Sequence, residues 1–155
     1  AFDGDGIKIL NSWKDENIVP VPIPQLNGKK AYGHVITNGS MSFHRLGVES
    51  LKKLWQAWES AGLLDRVVTF DGGYAPRFIR NTKDRNPRSL SNHAWGTAFD
   101  INAAWNPLGT EPPLTGQEGS VRELVSFANQ CGFFWGGNYD NRKDGMHFEL
   151  GKVLG

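Results

Sequence analysis

The segment Ser91-Asn-His-Ala-Trp-Gly-Thr-Ala-Phe-Asp-Ile-Asn102 decides the reading of this chain. Its second half alternates. Ala98, Asp100 and Asn102 share one face of a strand and Phe99 and Ile101 the other, because successive strand side chains point to opposite sides. With Phe99 and Ile101 in a core, Asp100 faces the opposite side, where a cleft can lie. His93 precedes Asp100 by seven positions, in a Gly-containing turn that leads into the strand. A second alternating segment, Met146-His-Phe-Glu-Leu150, follows Asp144-Gly145 and puts His147 and Glu149 on one face.

Outward from these segments the chain reads as mixed. Leu51, Leu54, Trp55 and Trp58 recur at helical spacing and predict a helix over 47–61, ended by Gly62. Arg66-Val-Val-Thr-Phe70 is rich in β-formers and reads as a strand closed by Asp71-Gly-Gly73. Ser120 and Glu123 have capping-box spacing, and Val121, Leu124, Phe127, Ala128 and Cys131 give the following helix an apolar face up to Gly132. Pro20, Pro22 and Pro24 alternate with Val21 and Ile23, so residues 1–30 read as an extended N-terminal arm. Residues 81–90 and 106–113 read as loops, the first basic and exposed. Helices and strands do not alternate regularly, so the expected class is α+β: a small antiparallel sheet flanked by helices.

The 155 residues suit one domain, 1–155. A net charge of +1 carries no general attraction to nucleic acid. The single Cys131 excludes an internal disulfide and any multi-thiolate metal site. No apolar run approaches the roughly 20 residues of a membrane span. The opening Ala1-Phe2-Asp3 suggests a processed product or an excised domain. A monomer is expected.

His93, Asp100 and His147 are the residue types of a catalytic zinc site, which takes nitrogen and carboxylate ligands and keeps one position open. Two imidazoles argue against calcium or magnesium. Asp144, three residues before His147, is placed to act as general base on a metal-activated water. Arg77 and Arg80 follow the first strand; either can support an oxyanion or hold a substrate carboxylate, with Arg77 preferred as the nearer to the strand end. Trp95 and Trp135 adjoin these segments and either line the cleft or pack beneath it. Ser91 and Trp95, with Arg80, are the substrate-contact candidates. Glu149 reads as a hydrogen-bond partner of His147 rather than a ligand. His34 and His44 have no ligand-type setting.

Ser91 to Asp100 resembles the SxHxxGxAxD motif of the D-alanyl-D-alanine carboxypeptidase and L-alanyl-D-glutamate endopeptidase zinc peptidases. Asp144-Gly-Met-His147 resembles their second motif, an acidic residue three positions before a histidine. The likeness extends to Phe70-Asp-Gly-Gly-Tyr-Ala-Pro-Arg77, Trp135-Gly-Gly137 and Ile23-Pro-Gln-Leu26, roughly residues 18–150. It implies the sheet-and-helix fold of the vancomycin-resistance D,D-peptidases and the Hedgehog signalling domain. It also implies zinc on His93, Asp100 and His147, Asp144 as base, and Ser91 at or beside the site. The implied activity is hydrolysis of peptidoglycan stem peptides next to a D-amino acid, with carboxypeptidase and endopeptidase both open. The competing reading is a zinc-bearing cell-wall-binding module without turnover. Two features depart from the pattern: the acidic residue is often Glu in relatives, and the arginines are spaced differently from their Ser-Gly-Tyr-Arg.

Overall fold

The computed structural model describes residues 6–79 and 89–153. The chain enters through a short helix α1 (Trp13–Asn17) and strand β1 (Ile18–Pro22). A tight hairpin of β2 (Lys30–Ala31) and β3 (His34–Val35) precedes β4 (Ser40–His44), which pairs antiparallel with β1. The expected arm is therefore not uniformly extended. Trp13–Asn17 turns helical, and the proline-alternating stretch becomes a strand carrying Pro20 and Pro22, which cannot donate to a ladder. Residues 1–5 lie outside the described residues.

Helix α2 (Val48–Ser60) buries Leu51, Leu54, Trp55 and Trp58, the four positions expected of it. Beyond it, β5 (Phe70–Gly72), β6 (Ala98–Ile101), α3 (Arg122–Gln130), β7 (Phe133–Trp135) and β8 (His147–Leu150) complete the chain. The last four strands form one antiparallel sheet in the order β5-β6-β8-β7. The fold is α+β.

Pairing and parity aim the site. In the β6–β8 ladder Phe99 lies opposite Phe148 and Asp100 opposite His147. Phe99 and Phe148 stack on the core side, ring centroids 5.6 Å apart. Trp55 and Trp58 of α2 pack against Phe99, and Trp58 also meets Phe148 edge-on. Each such side chain, fully buried, contributes roughly 1.5–3 kcal/mol. Trp58 Nε1 donates to the Leu124 carbonyl at 3.0 Å and ties α2 to α3. With the aromatics held under the sheet, Asp100, His147 and Glu149 must face the other way.

Three local expectations change. The stretch 66–69 is not strand: residues 64–66 form a 3-10 turn, and the Val68 and Thr69 amides donate to the Asn102 side chain. Asn102 itself leaves the strand with φ +54, so it does not continue the face of Ala98 and Asp100. The capping box does not form. Ser120 Oγ does accept from the Arg122 amide at 3.3 Å at the start of α3, but Glu123 pairs with Arg66 at 3.1 Å instead of closing the box. Of the predicted loop at 81–90, residues 81–88 lie outside the described residues, while Leu90 bridges to Phe78.

Candidate metal centre

Ser91 starts the ligand-bearing turn. Its Oγ accepts from the His93 amide at 3.2 Å, opening a 3-10 turn over Asn92–Trp95. Gly96 closes the turn at φ +70, where a Cβ would collide with Ile18 and crowd the His44 amide. That glycine lets the chain reverse into β6 and leaves His93 beside Asp100. On the other side, a turn at Asp144 delivers His147 to the start of β8, with the His147 amide donating to the Asp144 carbonyl at 3.1 Å.

The three donor atoms form a near-equilateral triangle. His93 Nε2 lies 3.2 Å from Asp100 Oδ1 and 3.2 Å from His147 Nδ1, and His147 Nδ1 lies 3.3 Å from Asp100 Oδ1. Three corners of a tetrahedron around zinc, with bonds near 2.0–2.1 Å, are separated by roughly 3.3 Å, so the donor set fits the ion in type and spacing. His93, Asp100 and His147 could thus hold a metal ion.

Each imidazole is oriented through its remote nitrogen. His93 Nδ1 lies 2.7 Å from the Gly73 carbonyl, which can only accept. Its Nε2 lone pair is therefore left for the site. His147 Nε2 lies 3.3 Å from Glu149 Oε1, leaving Nδ1 for the site. Glu149 is held in turn by Asn92 Nδ2 at 2.5 Å and by the Tyr139 hydroxyl. Such partners fix the tautomer and ring angle of ligand histidines.

The charges respond to this crowding. Burial raises the Asp100 carboxyl, but hydrogen bonds from His147 and His93 outweigh it and hold the group well below the usual range. Burial lowers His147, but hydrogen bonds to Asp100 and Glu149 outweigh that and push it up to about 9. Asp144 shifts upward, through burial first and the nearby Asp100 charge second. Its Oδ2 is 4.0 Å from His147 Nδ1, and its buried Oδ1 has no hydrogen-bond partner among the described residues. Asp144 therefore adjoins the triangle without belonging to it, with one polar atom unanswered by the described residues.

The site floors a cavity of about 720 Å³. Ser91, Arg77, Arg142 and Tyr139 also line it. Arg77 is close enough to Asp144 to favour its charged form. Arg80 falls outside the described residues. Trp95 does not line the cavity: it packs edge-on against Trp13 at 5.7 Å and is half exposed. Trp135 lies beneath the site, its Nε1 donating to the Gly145 carbonyl at 2.8 Å, and so supports the turn bearing Asp144. Asn92, Tyr139 and Arg142 escaped the sequence reading. Asn92 stood inside the first motif, next to His93; Tyr139 and Arg142 sit in an irregular stretch with no period to place them.

No helix among the described residues is long and apolar enough to cross a membrane. No curated protein matches the chain at a significant level. Residues 84–150 match a family described as D-alanyl-D-alanine carboxypeptidase. That span contains all three donor residues and Asp144, so over the segment that carries the donor triangle the chain is similar to this family.

Proposed function

We propose that this protein is a zinc-dependent peptidase that hydrolyses peptidoglycan stem peptides at a bond next to a D-amino acid, acting as a single catalytic domain and a monomer. The observation that carries the reading is the donor triangle of His93, Asp100 and His147 on a cavity floor, with the Asp144 carboxylate beside it.

Zinc on this triangle supplies a Lewis acid that polarises a carbonyl and acidifies water. The chain's own groups do the rest. Asp144 takes the proton of the attacking water on a carboxylate oxygen and delivers it to the leaving amine. Its raised affinity for a proton suits both halves of that transfer. Arg77 holds positive charge in the cavity, where an oxyanion develops or a terminal carboxylate docks. Ser91 acts through the turn it caps, holding His93 in place. Glu149, with Asn92 and Tyr139, keeps His147 aimed at the ion.

The test is mass spectrometry of purified stem peptides incubated with the zinc-loaded protein, with and without chelator, beside Asp144→Ala. Chelator-sensitive cleavage that disappears in the variant is the expected result. The product masses then separate carboxypeptidase from endopeptidase action. Folded, zinc-loaded protein that cuts no stem peptide overturns the reading in favour of a wall-binding module.

A further inference from the structure

The β2–β3 hairpin is closed by only two residues, Tyr32 and Gly33, with Ala31 opposite His34. Their φ angles are +51 and +82. A two-residue turn with both φ positive is the type for which Asn-Gly is preferred, and a bulky aromatic in its first position is strained. Strain of this kind persists where the surroundings or the function demand it. Core packing does not repay it here, because Tyr32 is 79% exposed.

The ring nevertheless has a place to be. Tyr32 lines the same cavity as His93, Asp100 and His147. Its hydroxyl donates to the Asp71 carbonyl at 3.3 Å, which pins it against β5. The hairpin lies alongside that strand, Lys30 bridging to Thr69. Strand β5 is an outer strand of the sheet, next to β6 and away from β8. The cavity thus runs across the strands, from Tyr139 near β8, over the donor triangle, to Tyr32 beyond β5.

We propose that Tyr32 is a specificity-determining residue: its ring walls a subsite for a stem-peptide residue displaced from the scissile bond. The proposal rests on the peptidase reading for the identity of the ligand. Ile79 and Leu108 line the same cavity and give it an apolar component. A tyrosine suits such a wall, since it offers apolar area with a polar tip and few rotatable bonds.

The experiment compares Tyr32→Asn and Tyr32→Phe, each in the zinc-loaded Asp144→Asn protein, by titration with an uncut stem pentapeptide and by thermal melting. Tyr32→Asn creates the preferred Asn-Gly turn. Its Tm is therefore expected to equal or exceed the parent's, while pentapeptide affinity falls fivefold or more. Tyr32→Phe restores most of that affinity. In the protein that retains Asp144, Tyr32→Asn raises KM for the pentapeptide far more than it lowers kcat.

Unchanged pentapeptide affinity in Tyr32→Asn overturns the proposal, as does a parent that binds no stem peptide. A lowered Tm with affinity equally lost in Tyr32→Phe also overturns it, because the role is then structural. Pentapeptide binding through Tyr32 with no cleavage by the zinc-loaded protein that retains Asp144 overturns the peptidase reading and leaves the subsite standing.

Discussion

Asp100 and His147 face each other across the β6–β8 ladder, and their donor atoms lie 3.3 Å apart. Directly opposed strand residues are held at a separation set by the backbone, so two of the three ligand candidates are positioned by sheet register rather than by loop conformation. A one-residue slip of β8 would replace His147 by Phe148 on that face. Register and site are therefore the same property of this fold.

Metal loading near pH 7 releases protons. His147, pushed up to about 9 by Asp100 and Glu149, carries a proton at neutral pH, and a ligand imidazole must be neutral. Zinc affinity accordingly falls as pH falls. In the metal-stripped protein the sign is opposite for stability. The folded value exceeds the ordinary 6.5, so this contribution is fully present below about pH 6.5 and is lost as pH rises through 9. Calorimetric zinc titration in buffers of different ionisation enthalpy measures the released protons; zinc uptake without release would contradict this account.

Asp144→Asn is expected to lower kcat/KM by at least about a hundredfold while leaving zinc stoichiometry intact, since Asp144 adjoins the triangle without completing it. Burial, then the Asp100 charge, raises the Asp144 carboxyl. The base works deprotonated, so activity is lost as pH falls through this raised value. The acid limb of kcat/KM should lie above the ordinary carboxylate range. A limb at or below that range would argue for another base.

Glu149→Gln is expected to weaken zinc binding by about tenfold, because a neutral amide oxygen accepts from His147 Nε2 more weakly than a carboxylate does. Competition against a chromophoric chelator gives the constant directly and needs no turnover. Asn92→Ala, which removes the 2.5 Å clamp on Glu149, should move it in the same direction by less.

Gly136→Ala tests how tightly the Asp144 turn is packed. A Cβ at this position would strike the Asp144 carbonyl oxygen and lie 3.0 Å from the Asp144 Cβ and 3.2 Å from the His147 Cβ. The first is backbone and cannot swing aside. The expected result is a kcat loss of about tenfold or more, since small displacements of catalytic groups are costly. Near-normal kcat would show that the turn relaxes freely.

Asn102→Ala should be among the most destabilising single changes. The buried amide accepts from the Val68 and Thr69 amides at 2.8 and 3.2 Å and donates to the Arg66 carbonyl at 2.7 Å. Truncation leaves several buried backbone groups unanswered, a cost of about 3 kcal/mol or more. For a chain of this size that lowers Tm by roughly 8 °C. Thermal unfolding of the variant checks it.

Helix α2, strands β6 and β8 and the Gly62 and Gly132 stops were legible because each depends on a pattern within one segment: 3.6-residue periodicity, two-residue alternation, or a glycine that accepts positive φ. Where the outcome depended on a distant partner, local reading missed it. Glu123 had the spacing for a cap, yet Arg66, 57 positions away, took its carboxylate. Residues 66–69 had strand composition, yet Asn102, more than thirty positions on, captured their amides. Trp95 adjoined the first motif, yet Trp13 drew it away from the cavity.

By itself, the sequence determined the donor types, their parity on two strands and the Asp144 turn before His147, since these follow from residue identity and the two-residue strand repeat. Only the tertiary structure decided that β6 and β8 are neighbours in the register that opposes Asp100 to His147, that Glu149, Asn92 and Tyr139 converge behind His147, and that the hairpin brings Tyr32 to the cavity. Those relations join residues far apart in the chain, and their geometry exists only once the aromatic core beneath the sheet has brought the strands and hairpin together.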